Sequence, residues 1–228
     1  MRLISWNIEL GHNIDRAAQA ILDHPELQGA DVVLAQEMSP QSADDLATLL
    51  SMHCFYDSVA DHWKTKEPFG NAVLSRTPLS DPLHLPMPYV ARIAGQPRSA
   101  VLATVTKDDV ELRVGSIHME IPALSLRKRV LQLGALADAL AETTGPVVIG
   151  GDFNSITPRS RKAYERTLAA PGLERLSGLD EETCRRFNRP FFLDHFFGRG
   201  VKALDGGVVH VKSVSDHEPI WIELAVSP

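Results

Sequence analysis

Short apolar runs alternate along the chain with a few segments of helical period. Arg2–Ile8 predicts a strand with little surface left for water, and Asp31–Gln36 predicts a second of the same kind. Between them Ile14, Ala17, Ala18, Ile21 and Leu22 recur at helical spacing behind Asn13, a residue type suited to an N-cap. Ser42, with Asp45 three positions on, resembles a capping box and predicts a helix running through Leu50. Gly70–Ser75 and Ser99–Thr106 read as strands, and Lys107-Asp108-Asp109 as a hairpin turn into a strand over Val110–Ile117. The longest helix is expected from Ala123 to Glu142, with Leu124, Leu131, Ala135 and Leu136 facing the core and Gly145-Pro146 ending it. Pro146–Gly150, Phe191–Phe197 and Pro219–Val226 supply the remaining predicted strands.

Mainly buried strands with helices between them imply an α/β protein in which two sheets pack face to face and helices cover the outside. At 228 residues, with no linker-like stretch and no repeat, the chain reads as one domain over 1–228. Its formal charge of −6 means that any attraction for nucleic acid must be local. Cys54 and Cys184 are too few for a thiolate metal cage. The opening Met1–Asn7 lacks the apolar stretch of a secretion signal, and no later run is long enough to span a bilayer. A soluble, cytoplasmic protein without membrane insertion is expected, and nothing in the sequence points to a protein partner.

The polar residues carry more information. Asn7 and Glu9, Gln36 and Glu37, His118 and Glu120, Asp152 and Asn154 each follow an apolar run, with Asp194-His195 and Ser215-Asp216-His217 near the end. Any one of them is explained by turn chemistry, a solvated strand end or a satisfied core histidine. Together, each behind a buried strand, they suit one rim rich in oxygen ligands, which favours magnesium or manganese over structural zinc.

Ile4-Ser5-Trp6-Asn7, Ala35-Gln36-Glu37, Gly70–Arg76, Gly150-Gly151-Asp152-Phe153-Asn154, Leu193-Asp194-His195 and Ser215-Asp216-His217 resemble, in order, the endonuclease/exonuclease/phosphatase superfamily. That resemblance implies a four-layer α/β sandwich, two packed and mainly antiparallel sheets flanked by helices. It also implies a Mg2+- or Mn2+-dependent phosphodiesterase. In that light Glu37 is the principal metal ligand, with Asn7 and Asp216 beside it. Asp194 orients His217, His118 contacts the phosphate or assists the leaving group, and Asp152 and Asn154 sit at the attacking water. Either His217 or Asp152 can serve as the general base. His195 stands where the family commonly has tyrosine, and strand alternation turns it to the opposite face.

Asn71 and Arg98 are candidate phosphate contacts, though Asn71 equally suits a sheet-end hydrogen bond and Arg98 an ordinary surface position. Arg159 with Arg161 and Lys162, and Arg185-Arg186 with Arg189, read as loop residues bordering the chemistry and able to touch substrate, whereas Arg127-Lys128-Arg129 reads as a solvated helix face. Phe191-Phe192 and Phe196-Phe197 read as core strand residues. Hydrolysis of DNA, or of RNA, by a water activated by the metal and the His–Asp pair is the leading expectation. A lipid headgroup, sugar phosphate or other small phosphoester is the rival substrate, and a non-catalytic scaffold the rival class.

Overall fold

The first strand shows how one run of residues serves two cores. In β1 (Arg2–Asn7), Leu3 packs between the two sheets while Ile4 and Trp6 pack beneath helices, so alternation buries both faces. The computed structural model describes residues 1–93, 95–177, 181–186 and 189–226, with only the backbone of Arg186. After β1 come α1 (Ile14–Asp23), β2 (Val32–Met38), α2 (Pro40–Leu50), β3 (His53–Asp61), β4 (Pro68–Ser75), β5 (Leu79–Pro86), β6 (Ser99–Lys107) and β7 (Val110–His118). The second half holds α3 (Leu126–Ala141), β8 (Val147–Asp152), α4 (Pro158–Ala169), β9 (Glu174–Arg175), β10 (Cys184–Arg186), β11 (Arg189–Phe191), β12 (Asp194–Arg199), β13 (Val201–Val208) and β14 (Ile220–Val226).

One six-stranded sheet runs β13-β14-β1-β2-β4-β3 and the other β5-β6-β7-β8-β12-β9, with β10-β11 as a separate hairpin. Among the described residues, only the β1–β2 and β7–β8 pairs are parallel. Helices α1 and α2 cover the outer face of the first sheet; α3 and α4 cover that of the second. A third apolar cluster, including Leu3, Leu34, Val73, Val114, Val148, Phe196 and Ile222, fills the space between the sheets. The expected four-layer sandwich is therefore the observed architecture.

Several elements differ from the sequence expectation. Helix α2 begins at Pro40, and its cap is Ser39, which exchanges hydrogen bonds with Ser42 in a capping box. Asn13 occupies the N-cap of α1, yet its side chain donates to the Val214 carbonyl at 2.8 Å instead of capping the helix. In α3 the core row is Leu133, Leu136, Ala137 and Leu140; Leu131 is 47% exposed and Leu124 precedes the helix. Leucines lie on several sides of this helix, so packing rather than apolar count selects the buried row. Phe191–Phe197 is broken between β11 and β12, leaving Phe191 and Phe192 half-buried while Phe196 and Phe197 are core residues. Strands β3, β5 and β13 were not signalled because they lie at sheet edges with half-exposed, mixed side chains. Helix α4 was missed because its composition is strongly polar, so Arg159, Arg161 and Lys162 belong to a helix and not to a loop.

Candidate active site

Register places the chemistry. In the second sheet His118 on β7, Asp152 on β8 and Asp194 on β12 are direct neighbours across three adjacent strands. In the first, Asn7 on β1, Gln36 on β2 and Asn71 on β4 are aligned in the same way. By alternation from Leu3, Leu34, Val73, Val114, Val148 and Phe196, all six side chains belong to the layer between the sheets. The site is thus the polar end of the inter-sheet core.

A β-bulge between Gln36 and Met38 adds Glu37, whose φ of 58° lies in the left-handed region. Its carboxylate is thereby brought to 3.9 Å from His118 Nε2. Gly151 lets Asp152 reach its place: a Cβ there would collide with the Ile117 carbonyl oxygen of β7.

Asp152 Oδ2 is the hub. Around it stand Asn154 Nδ2 at 3.2 Å, Asn7 Nδ2 and His118 Nε2 at 3.4 Å, and His217 Nε2 at 3.8 Å. The Asn154 backbone N–H donates to Oδ1 at 2.8 Å. His217 Nδ1 donates to Asp194 Oδ2 at 2.8 Å, and Trp6 Nε1 holds the His217 carbonyl at 2.8 Å. The Ser215 hydroxyl donates to the Asn7 carbonyl at 2.6 Å, tying the last loop to the first strand. Arg98 Nη1 lies 3.0 Å from His118 Nδ1; because a guanidinium only donates, the ring proton sits on Nε2 and faces Asp152 and Glu37. Asp216 is half-exposed, its carboxylate within 4.8 Å of the Cys184 thiol and of a His217 ring nitrogen.

The electrostatics follow from burial and the crowding of carboxylates. Burial, reinforced by Asp194, raises Asp152 to about 7, against the opposing pull of His217, the Asn154 N–H and Arg98. Burial alone would lower His217, but Asp194 and Asp152 outweigh it and hold the imidazole protonated well above its ordinary range. Asp152, Asp194 and His217 are thus joined in one array of charge, with His118, Asn7, Asn154 and Glu37 beside it.

Other expected contacts change character. Arg98 is buried, not a surface arginine, and lies between His118 and Glu120, whose Oε1 is 3.7 Å from its Nε. Asn71 makes the sheet-end bond, donating to the Ser99 carbonyl of the opposite sheet at 2.8 Å. Arg161 stays at the rim: it donates to the Ser155 carbonyl at 3.3 Å with its guanidinium 5.9 Å from the Phe192 ring. Arg159 is exposed at the start of α4. Arg129 is not on a solvated face but buried, binding the Asn154 carbonyl at 3.0 Å and the Tyr164 hydroxyl at 2.8 Å. Arg185 and Arg189 are exposed on the β10–β11 hairpin, and the Arg186 side chain lies outside the described residues.

The sequence reading missed a belt joining the sheets beneath the rim. Gln36 Nε2 donates to Ser116 Oγ at 2.8 Å, and Ser116 Oγ donates to the Ala35 carbonyl at 2.8 Å. Strand parity was the available signal, since Gln36 and Ser116 occupy inward positions among apolar neighbours.

His195 does turn to the opposite face, against Phe153 and Phe197, with Nε2 2.7 Å from Ser155 Oγ. Burial, with Arg175 and Arg161 adding to it, lowers this imidazole from 6.5 to about 3. The unfolded chain therefore takes up a proton below pH 6.5 that the folded chain refuses. Stability from this site is complete above pH 6.5 and is lost as pH falls towards 3. At pH 5 the loss is about 2 kcal/mol. Urea unfolding at pH 7.5 and pH 5 should show a drop smaller by about that amount in His195→Phe than in the wild type. Equal drops would contradict this reading.

Residues 4–217 match the Endonuclease/Exonuclease/phosphatase family, a span that includes Asn7, Glu37, His118, Asp152, Asn154, Asp194, Asp216 and His217. The chain belongs to this family. A curated relative, a UPF0294 protein of Klebsiella pneumoniae (strain 342), is 32% identical over 130 residues, covering 57% of this chain and 48% of the relative. The match thus spans about half of that relative's length. Among solved structures, D. rerio TDP2 complexed with single strand DNA product superposes with a TM-score of 0.78 at 18% identity over 99% of each chain. A mannosyl-6-phosphatase from Bacteroides thetaiotaomicron gives 0.70 at 16% identity, also over 99% of each chain. These two show a shared fold. Endonuclease/Exonuclease/phosphatase members are hydrolytic phosphoesterases and are generally divalent-metal dependent. No helix among the described residues is long and apolar enough to cross a membrane.

Proposed function

We propose that the chain, acting as one unit over residues 1–228, hydrolyses phosphodiester bonds, with DNA, or RNA, as its substrate and Mg2+ or Mn2+ as its cofactor. The observation that carries this reading is the convergence of two amides and two imidazoles on Asp152 Oδ2, with Glu37 alongside. The donors fit a hard divalent ion: Asn7 and Glu37 offer oxygens beside Asp152 and His118, and Asp216 adds a carboxylate near His217. Asp152 and Asp194 form a second acidic group with His217, a surplus of carboxylate that calls for a counter-charge. Such an ion supplies neutralisation of phosphate charge and polarisation of the phosphorus–oxygen bonds.

The remaining work falls to the side chains. His217, held as an imidazolium by Asp194, points Nε2 at the phosphoryl oxygens and bonds them as negative charge grows. Asp152, desolvated and acceptor-rich, takes the proton of the attacking water, while Asn154 aligns that water from beside it. His118 offers Nε2–H to a phosphate oxygen, its other nitrogen fixed by Arg98. Arg159 and Arg161 border the rim where a flanking phosphate would lie.

The DNA-bound TDP2 complex supports a nucleic-acid substrate, and the mannosyl-6-phosphatase marks the competing one, a small phosphoester. Plasmid DNA, single-stranded RNA, sphingomyelin and bis-p-nitrophenyl phosphate, each offered with magnesium, manganese or chelator, separate the two. Metal-dependent nicking of plasmid DNA is the expected result; turnover of the small ester alone would overturn the nuclease reading.

A further inference from the structure

We propose that the groove between the N-terminal half of α3 and the side of α4 from Arg159 to Arg166 is a track for the phosphate backbone of a nucleic acid whose scissile bond lies at the Asp152 rim; this rests on the nuclease reading above. The groove has a volume of about 340 Å3. Leu126, Val130 and Ala163 form its floor, partly buried against the core beneath α3 and α4. Its walls carry Arg127 from α3 and Arg159, Lys162 and Arg166 from α4, all exposed.

Three observations make it more than a solvated face. The first is unneutralised charge. Among the described residues no carboxylate pairs with any of the four cations, and Glu165, between Lys162 and Arg166 in sequence, is turned into an ion pair with Arg175 at 2.9 Å. This concentration of cations stands on a chain whose net charge is −6.

The second is placement against helix stability. Neither α3 nor α4 has an acidic residue in its first turn, where Arg127, Lys128 and Arg159 sit instead. Cations there oppose the helix macrodipole, whereas an anion in the groove would be attracted by both the side chains and the helix ends.

The third is continuity with the chemistry. Helix α3 follows β7, which ends at His118, and α4 follows β8, which ends at Asp152. Arg129 on α3 holds the Asn154 carbonyl, and Arg161 on α4 holds that of Ser155, so both helices start at the rim.

The spacing selects a polymer. Arg159, Lys162 and Arg166 lie three and four residues apart on one helix face and span about 10 Å at a rise of about 1.5 Å per residue. A nucleic-acid strand carries a phosphate on every nucleotide, so a row of cations this long meets more than one of them. A small phosphoester has no further phosphates to fill it.

The test replaces Arg127, Lys162 and Arg166 together by glutamine and leaves Arg159 and Arg161 in place. Binding of a fluorescein-labelled 30-nucleotide single strand, followed by anisotropy in chelator, should weaken at least tenfold at low salt. The slope of log affinity against log salt should fall by about two, from three lost contacts at about 0.7 each. Turnover of bis-p-nitrophenyl phosphate should be unchanged. Wild-type affinity and salt slope in the triple variant would overturn the proposal. So would failure of the wild type to bind the strand, or an equal loss of small-ester turnover in the variant. Absence of phosphodiester turnover in the wild type would instead sink the hydrolase reading, and the anisotropy comparison would still decide the groove.

Discussion

Turnover in His217→Ala is expected to fall by roughly 10²–10⁴-fold, the usual contribution of a positioned acid–base group. The imidazole is bracketed by Asp194 at 2.8 Å and Asp152 at 3.8 Å, so its ring nitrogens are committed to the reaction array rather than to packing. The alanine variant should also be less stable. It leaves the buried Asp194 carboxylate without its cation, and Asp194 Oδ1 already has no hydrogen-bond partner among the described residues. Asp194→Asn separates the two effects, since it keeps the shape while removing the charge that holds the imidazolium. It should lose at least 10²-fold in kcat while unfolding near the wild-type midpoint. Near-wild-type kcat in both variants, on either plasmid DNA or bis-p-nitrophenyl phosphate, would remove His217 from the chemistry.

The strands that carry the site were legible because their residues are buried on both faces. Arg2–Asn7, Val32–Gln36 and Val147–Asp152 each pack one side between the sheets and the other under helices, so burial writes itself as an unbroken apolar run. The polar residue that ends such a run then marks the rim. Edge strands β3, β5 and β13 write no such run, because water covers part of each. The β-bulge that redirects Glu37 was not legible either, since a positive φ at glutamate has no sequence signature. Arg98 and Arg129 show the limit most plainly. An arginine reads as a surface residue until its partners are known, and here those partners are His118 and Glu120 for one and Tyr164 and the Asn154 carbonyl for the other.

Replacing Asp152 by asparagine is the second substitution of large expected effect. It keeps the side-chain volume but removes the acceptor for the water proton, so kcat should fall at least 10²-fold. It should also lower stability. Both carboxylate oxygens accept hydrogen bonds, so the new amide must turn its NH2 towards buried donors. Asp152→Asn should therefore unfold at a lower temperature than the wild type in chelator. Even so, Asp152, Asp194, Glu37 and Glu120 outnumber Arg98 and the His217 cation around the site, an excess of carboxylate.

A divalent ion relieves the same excess by binding. At about 100 times its dissociation constant it should stabilise the wild type by about 2.7 kcal/mol, a rise of roughly 5–10 °C in Tm for a chain of this size. The decisive measurement is the Tm of wild type and Glu37→Ala across a manganese titration. A saturable rise in the wild type that is absent or shifted at least tenfold in Glu37→Ala is the predicted result; no rise in the wild type, or the same rise in both, would contradict a metal held at this rim.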